Sequence, residues 1–334
     1  MLLFFIAASY ASERYSIYGD MASEVLVSPR SAALSSSDLA INGAGPLISN
    51  PSLTAVTAPP ILTLSYSSYY GDVFSTSMLN YTRPVGERGG FGASAAYLLI
   101  PGIEDTRGVD ISAIDTDDIE VFTASDVWTR FSYGRRFETE IADLHFGAAL
   151  NARRRRLEKI FAYGMGADLG AMAHFKKQSL YTALLWENVR HSVVRWQESD
   201  YNEKVPQHLR LSLAFERDNP YLYGRFALFY TSPDLLFNEG INYQGQHNRH
   251  VDGLREEDRE PKISNDASAL IKAGRYGAEY TIMNTLTLRV GFNNYSYSMG
   301  AGLNLFNSRA GVDFGYMSHE LAGTVKMSVT YRWF

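Results

Sequence analysis

Four consecutive arginines, Arg153, Arg154, Arg155 and Arg156, with Lys159 close behind, form the sharpest concentration of charge in the chain. Guanidinium forks match phosphate geometry, so the run points to an anionic lipid such as lipopolysaccharide. Contact with an anionic cargo or partner is a second reading, and a solvated basic loop is the plain alternative. His247-x-x-His250 with Asp252 has the look of a metal site. It falls in a stretch rich in Gln, Asn and Gly, without a rigid element to hold ligands, so no metal is expected. The seven histidines keep no defensible spacing to a nucleophile. Asp168 and Glu187 fall within apparent strands, where carboxylates more often join arginine ladders than perform acid–base chemistry. The glycine-rich stretches lack the strand-then-helix context of a phosphate cradle. The absence of cysteine excludes a disulfide scaffold, a thiolate metal site and a cysteine nucleophile. A net charge of −5 gives no general attraction to nucleic acid. The expectation is a protein without catalysis or cofactor.

The elements that must position these residues have a clear period. Leu144, Phe146, Ala148 and Leu150 alternate with His145, Gly147 and Asn151; Leu286, Leu288, Val290 and Phe292 alternate with Thr287, Arg289, Gly291 and Asn293. Successive side chains of a strand leave opposite faces, so this two-residue period predicts strands. Marking each block gives strands near 61–68, 74–83, 89–100, 125–137, 141–154, 159–175, 179–191, 206–216, 220–232, 267–282, 285–293, 296–307, 309–317 and 323–334. Fourteen is an even number, as a single-chain bacterial outer-membrane barrel requires. Connections after even strands are short, such as Glu138–Glu140 and Met283–Asn284, whereas Pro101–Ala124, Ser192–Val205 and Pro233–Asp266 follow odd strands. Short periplasmic turns opposite long extracellular loops are the asymmetry of such barrels. It places both ends of the barrel sequence in the periplasm and the arginine run at the extracellular end of the fifth strand.

The expected organisation is therefore an all-β, fourteen-stranded antiparallel transmembrane barrel over residues 61–334, with an N-terminal plug over residues 12–60 and a signal peptide over residues 1–11. Leu2 to Ala8 with Ser9-Tyr10-Ala11 reads as an apolar core and small-residue cleavage site; a buried N-terminal strand is the alternative. Residues 21–60 are small, apolar and nearly uncharged, and cannot bury themselves alone. Fourteen strands enclose more space than their own side chains fill, which gives the segment a place to go. Lipid-facing positions must be apolar, so the Ser, Thr, Asn, Arg and Gly positions face inward. Tyr and Trp near the strand ends suit an aromatic girdle.

Asn50-Pro51-Ser52-Leu53, followed by Leu62-Thr63-Leu64-Ser65-Tyr66, resembles the start of the PorV/PorQ proteins, a branch of the FadL-like outer-membrane barrels. The resemblance continues through Phe122–Asp126, Ser132–Arg136 and Tyr163–Gly170, then Gly277–Tyr280 and His319–Gly323. It covers most of residues 28–334 and marks Asn50, Pro51, Ser52 and Leu53 as a plug motif. Where that family usually shows paired glycines in the plug, this chain has Ser35-Ser36. The terminal Tyr331, Trp333 and Phe334 read as a barrel-assembly signal, with Phe334 as one added residue. The resemblance implies a secretion accessory of the type IX kind, with secreted proteins or secretion-system components as partners. The wider FadL group implies instead a transporter of hydrophobic small molecules.

Overall fold

The computed structural model describes residues 25–41, 49–56, 59–105, 120–197, 202–236, 267–293, 296–319 and 321–333. Residues 1–11, expected to be a signal peptide, lie outside them, as do His247, His250, Asp252 and Phe334. Sixteen strands are present among the described residues. They are β1 (Ile61–Tyr69), β2 (Phe74–Val85), β3 (Gly89–Glu104), β4 (Val121–Glu138), β5 (Asp143–Leu157), β6 (Ile160–Phe175), β7 (Leu180–Glu187) and β8 (Ser192–Trp196). The series continues with β9 (Asn202–Val205), β10 (His208–Asn219), β11 (Gly224–Thr231), β12 (Arg275–Ile282), β13 (Leu286–Phe292), β14 (Tyr297–Leu305), β15 (Ala310–Met317) and β16 (Thr324–Arg332).

Fourteen of these close a ring. Neighbours pair antiparallel from β1 through β7 and from β10 through β16, β7 pairs with β10, and β1 pairs with β16. The short β8–β9 hairpin extends the wall on β6 above β7 and β10. A closed ring leaves no open edge, so outside the interruption at 187–192 the backbone groups of the wall find partners within the sheet.

The alternation behaves as lipid on one side demands. Leu64, Leu79, Phe131, Phe146, Leu150, Leu288, Val290, Phe292 and Val329 stand exposed on the outer face, while Thr63, Ser65, Asn80, Ser132, Ser298 and Thr330 are buried on the inner one. An apolar band around the exterior and a polar interior are the inverse of a soluble barrel. The chain is a bacterial outer-membrane β-barrel, with its core in the lumen.

Two expectations are corrected. Ala267–Lys272 is a short helix, so the strand expected over 267–282 begins only at Arg275. The seventh strand, expected to run to residue 191, stops at Glu187, and the loop expected over Ser192–Val205 contains β8 and β9. The cause is local: Asn188, Arg190 and His191 all adopt left-handed φ values of 51°, 61° and 66°, and Pro206 opposite has no N–H for a ladder.

Residues 25–41 and 49–56 pack on the inward face of the wall. Ser28 caps a short helix, Pro29–Ala33, by accepting from the Ser31 N–H at 3.0 Å. That helix lies against β13–β16, and the 3-10 helix Pro51–Val56 lies against β3–β6. Both seats are made by residues without side chains. A Cβ on Gly147 would stand 2.3 Å from the Pro51 carbonyl carbon, and one on Gly315 would stand 2.3 Å from the Pro29 carbonyl oxygen. Leu34, Ala40, Ile41 and Leu53 then meet Met172, Ala183, Ala214 and Phe229 in an apolar cluster inside the ring.

Candidate functional site

Asp168 on the inner face of β6 gathers the most consequential contacts in the lumen. It accepts from Arg130 of β4 at 2.5 Å, from the Asn151 amide of β5 at 2.8 Å and from the backbone N–H of Asn188 at 2.9 Å. Arg130 also donates to the Ser49 carbonyl at 3.2 Å. One carboxylate thus ties the N-terminal segment to the point where the seventh strand is interrupted. Paired and hydrogen-bonded in this way, the buried charges are compensated, which is what permits them inside the ring.

The interruption has its own wiring. Leu169 pairs with Trp186 and Met165 pairs with Val193, so three residues of β6 (166–168) face six on the other side (187–192). The Asn188 amide donates to the Pro206 carbonyl at 3.1 Å, and Ser192 Oγ donates to Asn188 Oδ1 at 2.6 Å. Gln207 Oε1 accepts from Trp186 Nε1 at 3.1 Å and from the Arg190 N–H at 3.3 Å. One backbone bond, from the Val189 N–H to the Ala167 carbonyl at 2.8 Å, persists there, and side chains supply the others. Gly166 permits the close approach, because a Cβ there would stand 1.9 Å from Ser192 Oγ. Glu187 and Arg210 pair at 2.7 Å just below.

A cavity of about 130 Å³ lies between this wall and the N-terminal segment. Leu26, Leu39, Ala96 and Trp128 give it an apolar side, whereas Arg130, Asp168, Asn188 and Ser192 give it a polar one at the interruption. On the far side of the ring, Arg30 donates to Asp38 at 2.7 Å and to Glu279 at 2.9 Å, and Arg289 bridges Glu279 and Asp313 at 2.7 Å each. Lys326 holds the segment's start, donating to the carbonyls of Val25 at 3.0 Å and Val27 at 3.3 Å.

The residues singled out from the sequence separate. Asn50 and Ser52 are fully buried; Asn50 donates to the Leu39 carbonyl at 3.0 Å and accepts from Ser52 at 2.8 Å. Pro51 and Leu53 sit in the 3-10 helix that rests on β3–β6. The arginine run is not a loop: it is paired along β5 with both neighbours, and strand alternation divides it. Arg155 points inward to Asp126 at 2.9 Å, Arg153 lines the cavity, and Arg154 and Arg156 are exposed on the outer face. Lys159 lies in the turn before β6. Tyr331 and Trp333 meet edge to face at 5.0 Å on the outer face. Among the described residues, Asp168 pairs with Arg130 and Glu187 with Arg210, one arginine each rather than a ladder. Sequence reasoning missed the wall break; its nearest signal was Pro206, which has no N–H to carry a ladder on from β9 into β10. Ser35 and Ser36 both take left-handed φ values, 52° and 57°, a conformation that glycine adopts without cost.

The fold and lumen define a closed fourteen-stranded outer-membrane β-barrel, and the solved structures it resembles share that fold. It superimposes on the Pseudomonas putida toluene transporter TodX with a TM-score of 0.52 at 12% identity, covering 91% of this chain and 96% of that one. A deltaS2S3 mutant of the TodX monoaromatic hydrocarbon channel gives 0.57 at 11% identity, covering 92% and 99%. A Pseudomonas aeruginosa FadL homologue gives 0.50 at 11%, covering 92% and 98%. These neighbours are FadL-family outer-membrane barrels, transport channels rather than enzymes. No family model and no curated protein matches the chain by sequence.

Proposed function

We propose that the protein passes hydrophobic small molecules across the outer membrane, with residues 25–41 and 49–56 as a plug and the interruption beside β6 as the lateral exit. The observation that carries this reading is the cavity that reaches from the plug to Gly166, Asn188 and Ser192 at the wall break. Its volume is of the order of the roughly 150 Å³ apolar cavities that admit benzene, so the ligand scale is one aromatic ring or a short alkyl chain. The likeness to hydrocarbon channels supports the same class. The test is uptake of radiolabelled toluene by cells whose outer membrane carries the full chain. Faster uptake than in cells without it is expected; equal rates would overturn the reading.

A second reading, a PorV/PorQ-like accessory that binds secreted proteins or secretion components through extracellular loops, draws support from the order of the Asn50–Leu53 and Tyr163–Gly170 motifs. Co-purification of secretion components with the detergent-solubilised barrel, together with unchanged toluene uptake, would favour it over transport.

A further inference from the structure

The outward half of the arginine run does not stand alone. Residues paired across an antiparallel sheet share a face, so Val127, Arg154, Tyr163 and Arg195 form one outward row over β4, β5, β6 and β8. Val193, next outward on β8, pairs with Lys204 on β9, and Arg156 stands two residues above Arg154. With adjacent strands about 4.8 Å apart, Arg154 and Arg195 stand roughly 10 Å apart, within reach of one headgroup for side chains of that length. Lys159 rises from the turn between β5 and β6, beside the acidic Glu158. The outward positions of β12–β16 are uncharged throughout, from Tyr276 and Ala278 to Val329 and Tyr331.

Height selects the occupant. Below Arg154 the outward residues of β5 are Leu144, Phe146, Ala148, Leu150 and Ala152. Ten residues at ~3.3 Å each on a strand tilted by ~40° rise about 25 Å, the height of the apolar band of such barrels. Arg154 therefore stands where the band ends, at the end of the barrel with the long connections. The Phe161 ring lies between the two arginines, 4.5 Å from the Arg154 guanidinium carbon and 5.9 Å from that of Arg156. The ring contact orients the guanidinium planes; Arg156 Nε donates to the Glu158 carbonyl at 2.9 Å, which leaves its terminal nitrogens for a ligand.

We propose that Arg154, Arg156 and Arg195, assisted by Lys159 and Lys204, bind the phosphate groups of a phosphorylated glycolipid in the outer leaflet, on one flank of the barrel only. Charge complementarity and the position at the band's edge commit the site to a membrane lipid. The neighbours Arg153 and Arg155, turned into the lumen, have no part in it.

The experiment uses the full-length barrel purified in detergent and titrated with lipopolysaccharide, its dephosphorylated form and inorganic phosphate. Lipopolysaccharide binding should be about tenfold or more weaker in the Arg154→Ser/Arg156→Ser/Arg195→Ser variant, and unchanged in Arg135→Ser, an outward arginine at the opposite end of β4. Heat-dependent gel mobility establishes that each variant is folded. Should the triple variant not fold, the wild-type comparison decides alone: the phosphorylated lipid should bind about tenfold or more tighter than the dephosphorylated one. Equal binding of the two lipids, full retention by the folded triple variant, or displacement by inorganic phosphate as effectively as by lipid would each overturn the proposal.

Discussion

The ring satisfies the same physical demand in two ways. From β12 through β16 and on to β1, each strand pairs with its neighbours in unbroken register, and backbone groups partner one another. Between the β6–β7 and β6–β8 pairings the ladder is interrupted: one backbone bond, from the Val189 N–H to the Ala167 carbonyl, persists, and Asp168, Asn188, Ser192 and Gln207 add side-chain bonds. A backbone ladder yields only by unzipping a strand, whereas a side-chain network can open at the cost of a few hydrogen bonds, each worth about 1 kcal/mol net. Inside, the helix Pro29–Ala33 is tied to the continuous wall by the buried Arg30–Glu279 ion pair, while Ser49 meets the interrupted wall through a neutral carbonyl that accepts from Arg130.

The most disruptive test of this contrast lies on the continuous side. Glu279→Ala leaves Arg30 and Arg289 without their shared carboxylate, and should destabilise the folded barrel by about 3–5 kcal/mol, read from urea unfolding in vesicles. Gly147→Val should act differently. The added side chain collides with the Pro51 backbone, so the N-terminal segment leaves its seat, and conductance in planar bilayers should rise while the barrel's gel mobility is kept. Asp168→Asn on the interrupted side keeps the shape but removes the charge facing Arg130. It should cost about 1–3 kcal/mol and loosen the break, seen as faster hydrogen exchange at Asn188 than at Val290. Ser36→Gly should stabilise by up to about 1 kcal/mol, because the backbone there already has the left-handed conformation.

The barrel was legible because lipid and lumen impose opposite chemistry on alternate residues; the Leu286–Phe292 block could be read as a strand without its neighbours. Loop asymmetry ordered the strands for the same reason. What stayed hidden were features set by register rather than by period. Four arginines in a row read as one charged object, yet alternation sends Arg155 to Asp126 and Arg154 to the outer face. The union of Arg130, Asp168 and Asn188 joins three separate strands' worth of chain, and no local pattern signals it. The Asn188–His191 turn was read as strand because its neighbours alternate; only the unmatched Pro206 hinted otherwise. Ala267–Lys272 went the same way, its few apolar residues fitting either period.

The proposed lateral exit depends on the surplus residues at the break, and their removal should close it. Deleting Val189–His191 brings the two sides of the break to equal length and should restore the ladder between β6 and its neighbour. Toluene uptake by cells carrying this variant should fall to the level of cells without the protein, with the barrel still folded in the outer membrane. Uptake at the wild-type rate through that closed wall would rule out an exit there.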